Sequence, residues 1–137
     1  MKIFVIDASV VIASLTDENK KIKSYFGRLL KEARATKVKI FSLTLLPLEV
    51  ANVLRYKGLI NEKRDEAFKI FRQLPIIYQN LELDEISVVM KQSGETDTSV
   101  YDCAYHYLAR ERGGTFLTCD NKYFQKAKKL GGIEFVG

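Results

Sequence analysis

The chain of 137 residues carries only two cysteines, Cys103 and Cys119, and a single histidine, His106. That scarcity removes several chemistries at once. No disulfide framework of the kind that staples small secreted domains is available, so a reducing compartment is expected. Zinc held at Cys/His spacing is excluded, because no CxxC occurs and one histidine cannot complete a site. Neither GxGxxG nor GxxxxGK[ST] occurs, so the usual phosphate-cradling loops are missing. Long hydrophobic runs are missing too: the longest falls far short of the ~20 residues that cross a bilayer. Asp7 interrupts the apolar N-terminal run too early for a signal peptide. A cytoplasmic protein without a membrane association is expected.

What is present describes a folded domain. Hydrophobic residues make up 47% and charged residues 28%, a globular rather than a disordered balance. The length suits one domain with a sizeable core, and no repeat, linker or low-complexity tract divides residues 1–137. The net charge is +5, compatible with a polyanionic partner. It is unevenly spread: Lys20, Lys21, Lys23, Arg28, Lys31, Arg34, Lys37 and Lys39 face one acid, Glu32, in the same segment. Lys122, Lys126, Lys128 and Lys129 form a second cluster. Such runs are most often solvated helix faces, so charge alone does not choose a function.

Periodicity predicts an alternating series. Residues 2–6 read as a strand and SVVIASL as a short helix. Ile22, Phe26, Leu29, Leu30 and Ala33 recur at helical spacing within 19–35. VKIF (38–41) reads as a strand. A helix from Thr44, with Pro47 in its first turn, is expected to carry Leu48, Ala51 and Leu54 inward until Gly58. Asn61 opens another helix through Phe68, Phe71 and Leu74, stopped at Pro75. IIYQ (76–79) is a short strand, and Ile86, Val89 and Met90 mark the next helix. A helix over Thr98–Arg112, the strand TFLT (115–118), a helix over Asn121–Leu130 and the strand IEFV (133–136) complete the chain. Strands alternating with helices predict a parallel sheet covered on both faces, with ligands at the carboxyl ends of its strands.

Two strands end alike: IFVI-Asp7-Ala-Ser9 and TFLT-Cys119-Asp120-Asn121. If they are neighbours, Asp7 and Asp120 lie side by side at one sheet edge. Glu49, within SLTLLPLEVANVL, and Asp102, within TSVYDCAYHYLA, fall in the first turns of helices that begin just beyond strands. Each acid has a plain alternative. Asp7 and Asp120 suit helix caps, Asp102 could close a capping box with Ser99, and Glu49 suits the helix dipole. Capping does not explain why all four converge on the same end of the sheet in apolar surroundings. Close like charges call for a cation, and oxygen-only ligation points to Mg²⁺ or Mn²⁺. In a basic protein that combination suits phosphodiester chemistry.

The ordered set Asp7-x-Ser9, Glu49 in LPLEVANVL, Asp102 in YDCAYHYLA and Thr118-Cys119-Asp120 resembles the PIN domain, above all the stand-alone VapC-type toxins. The resemblance spans essentially the whole chain. It implies a sheet of five parallel strands and a Mg²⁺- or Mn²⁺-dependent ribonuclease. It also implies Asp7, Glu49, Asp102 and Asp120 as metal-site acids, with Ser9 and Thr118 orienting them. An RNA substrate, an antitoxin protein that silences the enzyme and a homodimeric state follow from the same resemblance. A PIN-like module that binds RNA or protein without cutting, and a nuclease of RNA processing, are the alternatives. Asn121 stands where many members have another polar or acidic residue. Other carboxylate-using families fit worse: a haloacid-dehalogenase-type phosphatase needs an acid where Ser9 stands, and a receiver domain needs paired acids and a late lysine. A two-histidine ribonuclease lacks its second histidine.

The remaining candidates have structural readings. His106 shares a helix face with Asp102 but is expected to be a packed or surface histidine. Asp97 and Asp17 are expected to cap the helices that follow them. Cys103 and Cys119 are expected to be small core residues. Most of Tyr56, Tyr101, Tyr105, Tyr107, Tyr123 and Phe124 are expected in the core or at its boundary rather than stacked on bases.

Overall fold

The computed structural model describes residues 1–137. Its elements run β1 (Lys2–Ile6), α1 (Ala8–Leu15), α2 (Lys20–Arg34), β2 (Val38–Leu43), α3 (Leu46–Tyr56), α4 (Asn61–Phe71), β3 (Ile76–Gln79), α5 (Leu83–Thr96), α6 (Val100–Glu111), β4 (Thr115–Thr118), α7 (Asn121–Ala127) and β5 (Ile133–Phe135). The five strands form one parallel sheet in the order β3-β2-β1-β4-β5. Adjacent strand residues point to opposite faces, and the pairs Val5/Ile6 and Phe116/Leu117 are all fully buried. Both faces of the sheet centre are therefore covered. No helix is long and apolar enough to cross a membrane.

Chain order reverses at β1: the strands to one side are β2 and β3, those to the other β4 and β5. Ligands in such sheets bind at that reversal, outside the carboxyl ends. Ile6 is in register with Leu117, which brings Asp7 level with Thr118. Close approach at the opposite end of this strand pair depends on Gly114, where a Cβ would stand 2.6 Å from the Ile3 carbonyl oxygen.

Several local expectations are corrected. The third helix starts at Leu46, not Thr44, and buries Leu46, Val50 and Leu54. Leu48 is 71% exposed and Ala51 is exposed as well, because a stripe at i, i+4, i+8 from the true start turns both outward. The helix marked by Ile86, Val89 and Met90 forms as α5, with Val89 buried and Ile86 and Met90 facing solvent. The fourth helix ends at Phe71, before Leu74, and the sixth begins at Val100.

Asp17 does not cap α2. Asn19 does, accepting from the Ile22 N–H at 3.1 Å, while Asp17 pairs with Lys23 in solvent. Asp97 caps no helix start either. It is the left-handed residue that follows and caps the C-terminal end of α5 (φ 55°), and Ser99 caps α6.

His106 is a core residue, 1% exposed. Its Nε2 lies 2.6 Å from the Gly131 carbonyl and its Nδ1 2.8 Å from the Tyr123 hydroxyl. A carbonyl can only accept, so Nε2 carries the proton and Nδ1 accepts from Tyr123. Burial holds the imidazole below its ordinary pKa, in keeping with that neutral tautomer.

Candidate active site at the sheet edge

Asp7 is the residue on which this edge is organised. It ends β1, caps α1 and is only 6% exposed. Its Oδ1 accepts from the Ser9 N–H (3.0 Å), the Ser9 hydroxyl (2.5 Å) and the Val10 N–H (3.3 Å). Its Oδ2 accepts from the Thr118 hydroxyl at 2.8 Å. Both hydroxyls are themselves acceptors: Ser9 Oγ from the Cys119 N–H (3.0 Å), Thr118 Oγ1 from the Asp120 N–H (3.1 Å). Two parallel relays thus run from the turn after β4 through a hydroxyl to one carboxylate. Each hydroxyl has one proton, and the amide behind it leaves that proton to Asp7.

Capping and site placement therefore coexist. A carboxylate has room for about four lone-pair contacts, so Asp7 holds α1 with one oxygen while the other faces β4. Asp120 likewise caps α7, accepting from the Tyr123 N–H at 3.0 Å. Asp102 makes only half of the capping box, its N–H donating to the Ser99 hydroxyl at 3.1 Å. Its carboxylate lines one cavity of about 250 Å³ with Asp120, Asp97, Lys122 and Lys126. Within it Lys126 pairs with the Asp97 carboxylate at 3.4 Å.

Glu49, half-buried in the first turn of α3, accepts a hydrogen bond from the hydroxyl of Tyr105. Tyr105 is 1% exposed and lies nearly parallel to Phe116, with ring centroids 6.2 Å apart. The aromatic core under the sheet edge thereby reaches one of the four acids. The sequence placed Tyr105 among the core and boundary aromatics; its contact spans 56 positions along the chain and leaves no local signal.

Electrostatics tie the four acids together. Burial pushes the Asp7 carboxyl up to about 6, against the lowering effect of its hydrogen bonds, with the charge of Asp102 adding to the rise. Burial also raises Glu49, with Asp102 again contributing, and raises Asp102, with Asp120 contributing. Asp102 is thus the acid that couples to the other three. The Cys119 thiol is raised to about 11, chiefly by burial and then by Asp7, and stays protonated.

The donor set suits a hard divalent cation: four carboxylates, with neither thiolate nor imidazole among them. The geometry is not gathered for one, since no three His, Cys, Asp or Glu side chains stand close enough to hold an ion. Repulsion and prior commitments account for this. Asp7 is fully engaged with hydroxyls and amides, and Glu49 with Tyr105. The fit is one of donor chemistry and not of a preformed cage.

The relays make a direct test of local energetics possible. Thr118→Val keeps the side-chain shape but strips the hydroxyl, leaving the Asp120 N–H and Asp7 Oδ2 each without a partner. A loss of about 1–3 kcal/mol is expected, read as a lower urea midpoint at unchanged m-value.

Comparison with known proteins agrees with this architecture. The PIN domain family matches residues 4–130. Ribonuclease VapC3 from Pyrobaculum aerophilum is 30% identical over 133 residues, covering 92% of this chain and 95% of that one. The crystal structure of PAE2754 from Pyrobaculum aerophilum superposes with a TM-score of 0.71 at 18% identity, over 98% of this chain and 90% of that one. A toxin-antitoxin complex from Klebsiella pneumoniae gives 0.67 at 13% identity, over 97% of each chain.

Proposed function

The chain belongs to the PIN domain family, and from that premise we propose that it is an endoribonuclease assisted by Mg²⁺ or Mn²⁺. Asp7, Glu49, Asp102 and Asp120 are the acids that would hold the ion, and Ser9 and Thr118 keep Asp7 in place. The observation that carries this reading is the state of Asp7. Asp7 is buried at the carboxyl end of β1 with both oxygens held by hydroxyls. Its carboxyl is pushed up to about 6 and the charge of Asp102 is set against it, an arrangement that costs stability and is characteristic of functional sites.

The chemistry that a divalent ion supplies in such a place is activation of water and neutralisation of the charge developing on phosphate. The chain's own contribution is to fix the acids. Two hydroxyl relays lock both oxygens of Asp7, Tyr105 fixes the near oxygen of Glu49, and Asp102 shares its cavity with Asp120. The half-dry sheet edge strengthens every one of these interactions. The expected products are a 5′-phosphate and a 3′-hydroxyl. The likeness to Ribonuclease VapC3 supports the choice of RNA. The assembly formed by the Klebsiella protein supports a toxin role with an antitoxin partner; a homodimer is part of the same proposal.

The ungathered acids favour one rival, a PIN-like module that binds without cutting. Incubating a mixed RNA pool with wild-type protein and with Asp7→Asn, under Mg²⁺, Mn²⁺ or chelator, separates the two. Metal-stimulated cleavage lost in Asp7→Asn is expected. Binding with no cleavage under any metal supports the module, and equal cleavage by both proteins removes the assignment of Asp7. Growth arrest on induced expression, with mapping of the RNA ends produced, tests the toxin role.

A further inference from the structure

The basic groove that sequence reading did not single out lies between α3 and α4. Four cations converge on it: Arg55 from the last turn of α3, Arg64 and Lys69 from α4, and Arg72, which caps the C-terminal end of α4. One acid, Asp65, accompanies them and pairs with Arg64 at 3.2 Å. Arg55, Lys69 and Arg72 have no carboxylate partner. The floor is apolar, formed by buried Leu54 and half-buried Phe68, whose ring packs 5.5 Å from that of Phe71. The groove encloses about 500 Å³, within the range of clefts that take a small ligand.

Like charges brought together over an apolar floor repel; Arg55 lies over the Tyr56 ring at 5.2 Å, while Lys69 and Arg72 have no ion pair to offset the repulsion. Three of these cations are exposed on helix faces or ends, where uncharged residues would serve the helices equally well. The pattern matches a ligand with several negative charges and a flat apolar part. The place matters as well. Glu49 and the groove share α3 but not its face. At 3.6 residues per turn Ala51, Leu54 and Arg55 lie about 140–240° around the axis from Glu49, so the groove is on the flank of the helix away from the acids.

Building on the ribonuclease reading, we propose that the α3–α4 groove is a second binding site for single-stranded RNA, on the flank of α3 opposite Glu49. Arg55, Lys69 and Arg72 contact its phosphates, and a base stacks on Phe68. Aromatic stacking with cations along the backbone is the usual means of holding single strands without strict sequence preference. Ala51, a small residue on the groove wall, leaves the strand room.

Fluorescence anisotropy with a labelled oligoadenylate, in chelator so that cutting does not interfere, tests the assignment. Lys69→Gln/Arg72→Gln is expected to weaken binding about tenfold and to reduce the slope of log affinity against log salt by about 1.4. Phe68→Leu, which keeps an apolar side chain on the floor, is expected to weaken binding roughly fivefold to tenfold. Lys31→Gln/Lys37→Gln, on the other basic segment, should bind as wild type. Wild-type affinity and salt slope in the groove variants overturn the subsite. So does loss of binding to an acidic peptide with RNA affinity unchanged, which would give the groove to a protein. The catalytic reading is scored separately: Asp7→Asn is expected to lose cleavage while keeping its affinity for RNA.

Discussion

Asp7→Asn should yield a protein that does not cut RNA yet is harder to unfold. Cleavage is expected to fall roughly a thousandfold or more, beyond the 10–100-fold typical of losing an outer partner of a metal ligand. The stability gain follows from linkage. The folded Asp7 titrates at about 6 and the unfolded one at 3.8. Between about pH 4 and pH 6 the native state therefore binds more protons than the unfolded state. Stability contributed by the protonated carboxyl is fully present below about pH 4 and is lost as pH rises through about 6. At ~1.36 kcal/mol per unit, about two units amount to at most about 3 kcal/mol at neutral pH. Asparagine stays neutral throughout. It should stabilise the metal-free protein by roughly 1–3 kcal/mol at pH 7.5 and flatten the decline between pH 4 and 6. Urea unfolding across that range, in chelator, checks this; the same pH slope in both proteins would falsify the buried-carboxylate account. Glu49 and Asp102 are shifted in the same direction, so some decline should survive in the variant.

Phe116→Ala is expected to be the costliest single change in the core. Phe116 is fully buried in β4, two residues before Thr118. It stacks on Tyr105 (6.2 Å, interplanar angle 11°) and meets Tyr123 edge-on at 5.9 Å. Truncation removes the transfer energy of a phenyl ring and leaves a cavity, about 3–5 kcal/mol together. The folded fraction should also lose activity, because Tyr105 would no longer be pressed towards Glu49. Phe116→Leu separates the effects: it restores much of the stability, while kcat stays lowered if the flat stacking surface positions Tyr105. Wild-type kcat in Phe116→Leu would show that Tyr105 keeps its place without that ring.

The four acids were legible for a local reason. Asp7 and Asp120 each end an apolar run, and Glu49 and Asp102 each sit within one turn of a helix start, so a parallel α/β order sends them all to one edge. The alternation of strands and helices was legible for the same reason: period and punctuation are local properties. The caps were less so. Asp17 and Asn19 both suit an N-cap, and only the backbone's actual turn chose Asn19. Asp97 looked like a helix start because it precedes Thr98 and Ser99. The preceding helix instead runs up to it and ends in its left-handed conformation.

By itself the sequence determined the fold class, because strand and helix periods depend on residues within a few positions of one another, and for the same reason it pointed Asp7, Glu49, Asp102 and Asp120 towards one sheet edge. The tertiary structure decided which strands are neighbours, and so that Ser9 and Thr118 converge on one carboxylate from positions 109 apart in the chain. It alone revealed Tyr105 behind Glu49, and it gathered Arg55 with Lys69 and Arg72 from two helices. It also withheld a ready-made ion cage. Contacts across the chain are set by packing and by the balance of like charges at close range, and neither leaves a period that sequence can show.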